Sequence, residues 1–367
     1  MINVLKIFIV LFLLPVMVSG QVLNDSVVKY NRIINKAELS ICDSDFIQAN
    51  KLYAQAFKLN PDKAFSYDLF TAFHCAMDAQ DYIAADAYLE KLLVRGIDTG
   101  FLDMGILSFY TGKKRHIIDS IIAKYPNNIN RNDWLNTTIT KLGHRDQEFR
   151  IYYAKKSEDG DYMNKSVYEV DSQNAHQLFQ IIQTLGHFPN ANEVRNEDDY
   201  PLAGTYVDLI LLHNLEDYFM GKQQSLFGTL SYQAIQTFDY STKRFVNLLS
   251  HCYFRKNGGY NDFHYKNIPI DFPVTIVAYK DMQDGGKVYF ETLTSEEENR
   301  INAEREKLGL STLQELRKKV NFDYLQHFNE GKYFAFGGTS VITFKLSTHK
   351  QILEDLSKSN PIQEYKP

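Results

Sequence analysis

Cysteine is scarce in this chain. Cys42, Cys75 and Cys252 are an odd number with no Cys-x-x-Cys spacing, which excludes a disulfide framework and a cysteine-built zinc site. Cys42 and Cys75 pair only if the helices that carry them are neighbours, in a compartment whose oxidising character permits a bridge without requiring one. Tryptophan occurs once, at Trp134, while 24 Tyr and 25 Phe are spread along the chain; aromatics so dispersed read as core and interface filler rather than as a sugar-stacking platform. There is no excess of positive charge, with 40 Lys and Arg against 45 Asp and Glu, and a nucleic-acid partner would favour a basic surface. His-Glu-x-x-His, Gly-x-Ser-x-Gly and phosphate-loop patterns are all missing. Gly285-Gly286 and Gly337-Gly338 read as turns, since neither sits between a strand and a helix at phosphate-loop spacing.

Long hydrophobic runs are also missing, except at the start. Met1–Lys6 carries one positive side chain, Ile7–Val18 is apolar throughout and contains Pro15, and Val18-Ser19-Gly20 precedes Gln21. A charged region, an apolar core and a small-residue cleavage site are the marks of a secretory signal peptide over residues 1–20. An uncleaved anchor is the alternative, but the apolar stretch falls short of the roughly 20 residues a membrane-spanning helix needs. The expectation is therefore an exported, periplasmic or secreted protein with no membrane span after cleavage. The remaining residues exceed one ordinary domain, and an apolar content of 44% with 23% charged is that of a globular protein.

Residues 21–125 predict helical hairpins. Asp45-Phe46-x-x-Ala49-x-x-x-Tyr53-x-x-Ala56 recurs 36 residues later as Asp81-Tyr82-x-x-Ala85-x-x-x-Leu89-x-x-Leu92. Apolar and small residues at spacings of three and four make one face of a helix, and Asn60-Pro61 and Gly96 stop the two units. Lys113–Lys124, with Ile117, Ile118, Ile121 and Ile122, supplies a third layer. Over residues 28–125 this pattern resembles the tetratricopeptide family, whose hairpins repeat near 34 residues. The resemblance implies a solenoid with a concave surface for a protein or peptide partner; a plain helical bundle that supports the rest of the chain stays open beside it.

Tyr125-Pro126-Asn127-Asn128 marks a boundary, and residues 126–367 read as a mostly helical α+β domain. Helices are predicted over Arg131–Lys156, Asp171–Leu185, the run from Val207 to Phe219, Tyr232–Gln236, Thr242–Phe254, Ser295–Leu308 and Leu313–Val320. Ser295 with Glu298 forms a capping-box pattern. Val274–Tyr279 and Val288–Leu293 predict a small β-hairpin, and Phe334–Phe344 a further strand. The fold class is thus mainly α: solenoid-like hairpins followed by a helical α+β domain. The order Asp171-x-x-Asn174, Leu178, Ile181-Ile182, Gly186-x-x-Pro189, then Leu212-His213, then Arg300, Arg305 and Gly309-Leu310 resembles an uncharacterised bacterial domain-of-unknown-function family over about 140–320. His213 follows Leu212 where that family has glutamine, and Asn214 stands where it has alanine. The resemblance implies an architecture and a short set of residues, and no activity.

Unrolled at about 100° per residue, the helix at 207–219 is apolar on two sides. Asp208 is tolerable only near its start, and His213 sits where one side turns to Glu216 and Asp217. Asp171, Asn174, Ala175, Leu178, Ile181, Ile182 and Leu185 share a face of the preceding helix. Asp171 then either caps that helix, with Asn174 at its third position, or heads a core-facing stripe. Arg150, with Asp146 and Gln147 near it, is the charge partner a buried Asp171 needs. Two functional readings follow. In one, an exported protein-interaction scaffold works through its helical repeats, and no cofactor is required. In the other, a hydrolase or metal-dependent enzyme uses a pocket of His213, Asp171, Arg150 and Asn174, with His213 as general base or metal ligand and Glu216 or Asp217 adding a carboxylate for a divalent metal.

Overall fold

A computed structural model of the chain describes residues 23–95, 110–124, 133–156, 160–190, 193–194, 206–219, 226–257, 278–281, 287–329 and 362–365. The leader expected at 1–20, the boundary expected at 125–128 and the strand expected at 334–344 lie outside them. Among the described residues there are twelve helices and one small sheet, a mainly α fold with a minor β element.

The first four helices are α1 (Asp25–Cys42), α2 (Phe46–Leu59), α3 (Ser66–Asp78) and α4 (Tyr82–Val94). They form two hairpins whose turns superimpose at the 36-residue offset seen in the sequence. Asp45 caps α2 by accepting from the Gln48 amide, and Asp81 caps α4 by accepting from the Ala84 amide. The residues before these aspartates, Ser44 and Gln80, are left-handed at φ 59° and 60°. The Ser44 amide donates to the Ile41 carbonyl and the Asp45 amide to Ser40, as Gln80 does to Met77 and Asp81 to Ala76. These paired bonds are the Schellman pattern, which satisfies carbonyls a helix end leaves unpaired. The same turn closes the helix at Gly228–Gln236, with Phe238 left-handed at φ 60° and Asp239 bonded to Ala234.

Ala49, Tyr53 and Ala56 of α2 and Ala85, Leu89 and Leu92 of α4 are buried, so the predicted faces are the packed ones. Helix α3 is buried without a break from Tyr67 to Met77, which means it is covered on every side. Helix α5 (Gly112–Lys124) packs on α4 through Ile118 and Ile121. Cys42 and Cys75 are free thiols; burial pushes Cys42 up to about 12.

Helices α6 (Asp133–Lys156), α7 (Gly160–Leu185) and α8 (Tyr206–Phe219) pack against one another. Gly143 of α6 lets the helices approach, since a Cβ there would overlap the Tyr206 ring. Helix α7 begins at Gly160, eleven residues before the start predicted from Asp171. No glycine or proline interrupts 161–185, so nothing local stops the helix from extending, and Asp171 lies mid-helix rather than at a cap. Helices α9 (Gly228–Gln236) and α10 (Thr242–Asn257) follow, with α10 against α8.

Strands β1 (Ala278–Asp281), β2 (Lys287–Glu291) and β3 (Ile362–Glu364) form an antiparallel sheet with β2 central. Tyr279 faces Tyr289, and Phe290 faces Gln363. The hairpin was expected; the third strand, three residues long, follows the Asn360-Pro361 turn signal and is too short for its spacing to announce it. Helix α11 (Ser295–Lys307) is capped by Thr294 with Glu297 in a reciprocal capping box, one residue earlier than the Ser295–Glu298 pair predicted. Helix α12 (Leu313–Asn329) runs beyond the expected Val320. Val288, Phe290, Ile301, Leu313, Leu316 and Val320 form a small core of their own.

Candidate metal centre

Three helices deliver one buried cluster. On α6, Leu135, Ile139, Leu142 and Asp146 follow one another at helical spacing and are all buried, so an apolar stripe ends in a carboxylate. On α7 the stripe is Asp171, Asn174, Ala175, Leu178, Ile181 and Ile182, again all buried. On α8, Ile210 and His213 are buried on one side and Leu211 and Leu215 on another, the two-sided burial expected. Burial continues through Asn214 and Asp217, so His213 sits inside the core rather than at its polar edge. Asp208 is in the first turn of α8, where Tyr240 and Arg244 of the following hairpin hydrogen-bond its carboxylate.

The imidazole is held through Nδ1, 2.9 Å from Asp146 Oδ1 and 3.6 Å from Asp171 Oδ1. Arg150 Nη2 donates to both oxygens of Asp171 at 2.7 and 2.8 Å, and its Nε donates to Asp146 Oδ2 at 3.2 Å. Gln147 Nε2 also donates to Asp146 Oδ2 at 2.6 Å. Among the described residues, Nδ1 carries all of the ring's hydrogen bonds. Asn174 takes a different direction: its Nδ2 donates to the Leu142 carbonyl at 3.3 Å, and its Oδ1 is buried without a hydrogen bond. The structure therefore joins His213, Asp171 and Arg150 with Asp146, and sets Asn174 one helical turn away. Glu216 and Asp217 are not in the group.

Burial pushes Asp171 up to about 7; His213 and Arg150 pull against that, while the charge of Asp146 and the hydrogen bond that protonated Asp171 donates to it push further the same way. Burial also acts on Asp146, but the hydrogen bond and charge of His213, then Arg150 and Asp171, outweigh it and hold its carboxyl below the usual range. Buried together, the two carboxyls compete for a proton, and their surroundings favour it on Asp171 over Asp146. Asp146 is the ionised partner at neutral pH.

One imidazole nitrogen and two carboxylate oxygens, from Asp146, Asp171 and His213, lie within 4.8 Å of one another. Ligands about 2.1 Å from a tetrahedral ion sit about 3.4 Å apart, so the spacing suits a shared divalent cation once the bridging protons leave. Three protein ligands also leave a coordination position for water, the arrangement of a catalytic rather than a purely structural site. A surface groove lined by Lys141, His144, Arg145 and Tyr152 lies on the opposite face of α6 and does not reach the cluster by that route. Sequence reasoning named Asp146 only as a neighbour of Arg150. The signal was there, since the Leu135–Ile139–Leu142 stripe predicts that the residue one turn on points inward.

Comparison with protein-family models, with curated proteins and with solved structures finds no match.

Proposed function

We propose that this is an exported metal-dependent hydrolase, with Asp146, Asp171 and His213 as ligands of one divalent cation. The observation that carries the reading is the buried convergence of one imidazole and two carboxylates from three helices. Desolvation that holds a carboxyl protonated near 7 marks a site short of positive charge, which a dication would supply. Bound, the ion supplies a hydroxide nucleophile by lowering the pKa of its water. Arg150 fixes the Asp171 carboxylate in a two-oxygen grip, the outer support that orients ligands in such sites. Export rests on the leader at 1–20. The test is metal content. Chelator-stripped protein reloaded with zinc or manganese should retain about one ion per chain after desalting, and His213→Ala or Asp146→Ala should lower that at least tenfold. Retention below a tenth of an ion by the wild-type chain would remove the proposal.

The scaffold reading keeps one observation in its favour. Ile47 and Ile83, equivalent at the 36-residue offset, are 59% and 86% exposed, a repeated apolar residue on the outer helices of both hairpins. Its discriminating result is capture of a specific partner that Ile47→Asp and Ile83→Asp together abolish.

A further inference from the structure

The face of α1 turned away from α2 is already filled by the chain itself. A second stripe on α1 (Asn31, Asn35 and Glu38) is buried although every member is polar or charged. Asn31 Nδ2 donates to the Leu308 carbonyl at 2.9 Å and to Thr242 Oγ1 at 3.2 Å. Arg32 donates to the Glu306 carbonyl at 3.3 Å, and Asn35 to Glu315 Oε2 at 3.1 Å. Lys319, 2% exposed, places its ammonium 2.6 Å from Glu38 Oε2 and 2.6 Å from Ser311 Oγ, with Asn35 Oδ1 as a further acceptor. Lys243 of α10 takes the other Glu38 oxygen at 2.5 Å. At the rim, Lys318 meets Asp43 at 2.5 Å.

The contact is fitted at the backbone as well as by side chains. Gly309, between α11 and α12, is left-handed at φ +71°, and a Cβ there would overlap the Val28 carbonyl of α1. Glycine at this position is therefore required twice, once by the turn and once by the close approach. The docked unit also has its own core of Val288, Phe290, Ile301, Leu313, Leu316 and Val320, while Leu308, Leu310 and Phe322 make its apolar seam to the main core. A self-contained core joined to its neighbour through a largely polar contact is the condition for opening as one cooperative unit.

We propose that the α11–α12 hairpin is an internal ligand of the N-terminal hairpins, seated by Lys319 on Glu38, and that it undocks as a unit to bare the face of α1. The face so exposed, with Asn31, Asn35, Glu38 and Asp43, is built for a lysine-bearing helical hairpin, and its occupant is the chain's own. This stands apart from the metal centre, none of whose residues takes part.

Amide hydrogen exchange on the full-length protein tests it. Gly309→Ala should speed exchange across 295–329 and on the exposed side of α1 at least tenfold, with amides of α2 to α4 unchanged. Gly186→Ala is the control: it is equally left-handed at φ +74° but has nothing within 4 Å of an added Cβ, so it strains a backbone without touching the contact. Should the Gly309→Ala protein fail to fold, Asn31→Ala, which removes the bonds to Leu308 and Thr242 without straining the backbone, should act in the same direction. Acceleration of α2 to α4 together with 295–329 would overturn the proposal, as would unchanged exchange over 295–329 in both variants.

Discussion

Asp171→Asn keeps the shape of the side chain and removes its charge, so it isolates what burying this carboxyl costs the apo protein. A carboxyl that titrates near 7 in the fold and near 3.9 in the unfolded chain holds an extra proton in the folded state across that interval. Stability then falls as pH rises from about 4 to about 7, by at most about 4 kcal/mol, because the unfolded chain gives up its proton first. Asp146 has the opposite sign. Its folded value lies below the usual range, so its contribution is present at neutral pH and is lost only in more acidic solution. Asparagine resembles the protonated acid, so the variant should gain on wild type by about 1.4 kcal/mol per pH unit through the window and level off above it. The assay is urea unfolding of chelator-treated wild type and variant at half-unit steps from pH 4 to 8, read as the difference between the two. A difference independent of pH would refute the claim that Asp171 is the proton-holding partner. A variant less stable than wild type, by an amount that shrinks only towards pH 4, would assign that role to Asp146.

The repeated turns give two further expectations. Asp45→Ala and Asp81→Ala each remove an N-cap and should each cost about 1 kcal/mol; Asp81→Ala should cost more in thermal unfolding, because Asp81 Oδ2 also accepts from the buried side-chain amide of Asn50 at 2.9 Å. Gln80→Gly should raise stability by about 0.5–1 kcal/mol, because a side chain in the left-handed region costs about 1–2 kcal/mol and glycine returns part of that through unfolded-state freedom. Gln80 is exposed, so no packing is lost, and an unchanged or lower melting temperature would count against the turn geometry.

What was legible in the sequence was local. The 36-residue repeat from Asp45 to Asp81, the alanine-lined faces and the two-sided burial of α8 follow from spacing alone, and each recurs in the structure; that both aspartates are N-caps emerges only there. The sequence offers Asp171 both as an N-cap and as the head of a core-facing stripe; the stripe is what the structure has, and the cap reading fails because nothing in 161–170 stops the helix from extending back to Gly160. The Thr294–Glu297 cap slipped by one residue since Thr294 and Ser295 both have capping side chains with a glutamate three positions on. Two features were beyond local reasoning. Asp146 becomes a site residue only when α8 brings His213 against it, 67 residues away in the chain. The polar stripe of α1 reads as a solvated face until α12, 281 residues from Glu38 at Lys319, arrives to bury it.

That last distance bears on how the molecule is assembled. Asn24, just ahead of the first helix, has its amide bonded to Gln236 Oε1 at 2.6 Å, and Glu38 waits for Lys243 and Lys319. A polypeptide emerges from its N-terminus, so the first helix made is among the last to be completed. Until residue 319 is free, Glu38 lacks its second cation and the side of α1 that α12 covers stays wet. Contacts of such separation slow folding and favour holding the front of the chain unfolded or chaperoned while the rear is synthesised. A chain truncated after the hairpins would carry the unmet half of this closure on its surface permanently.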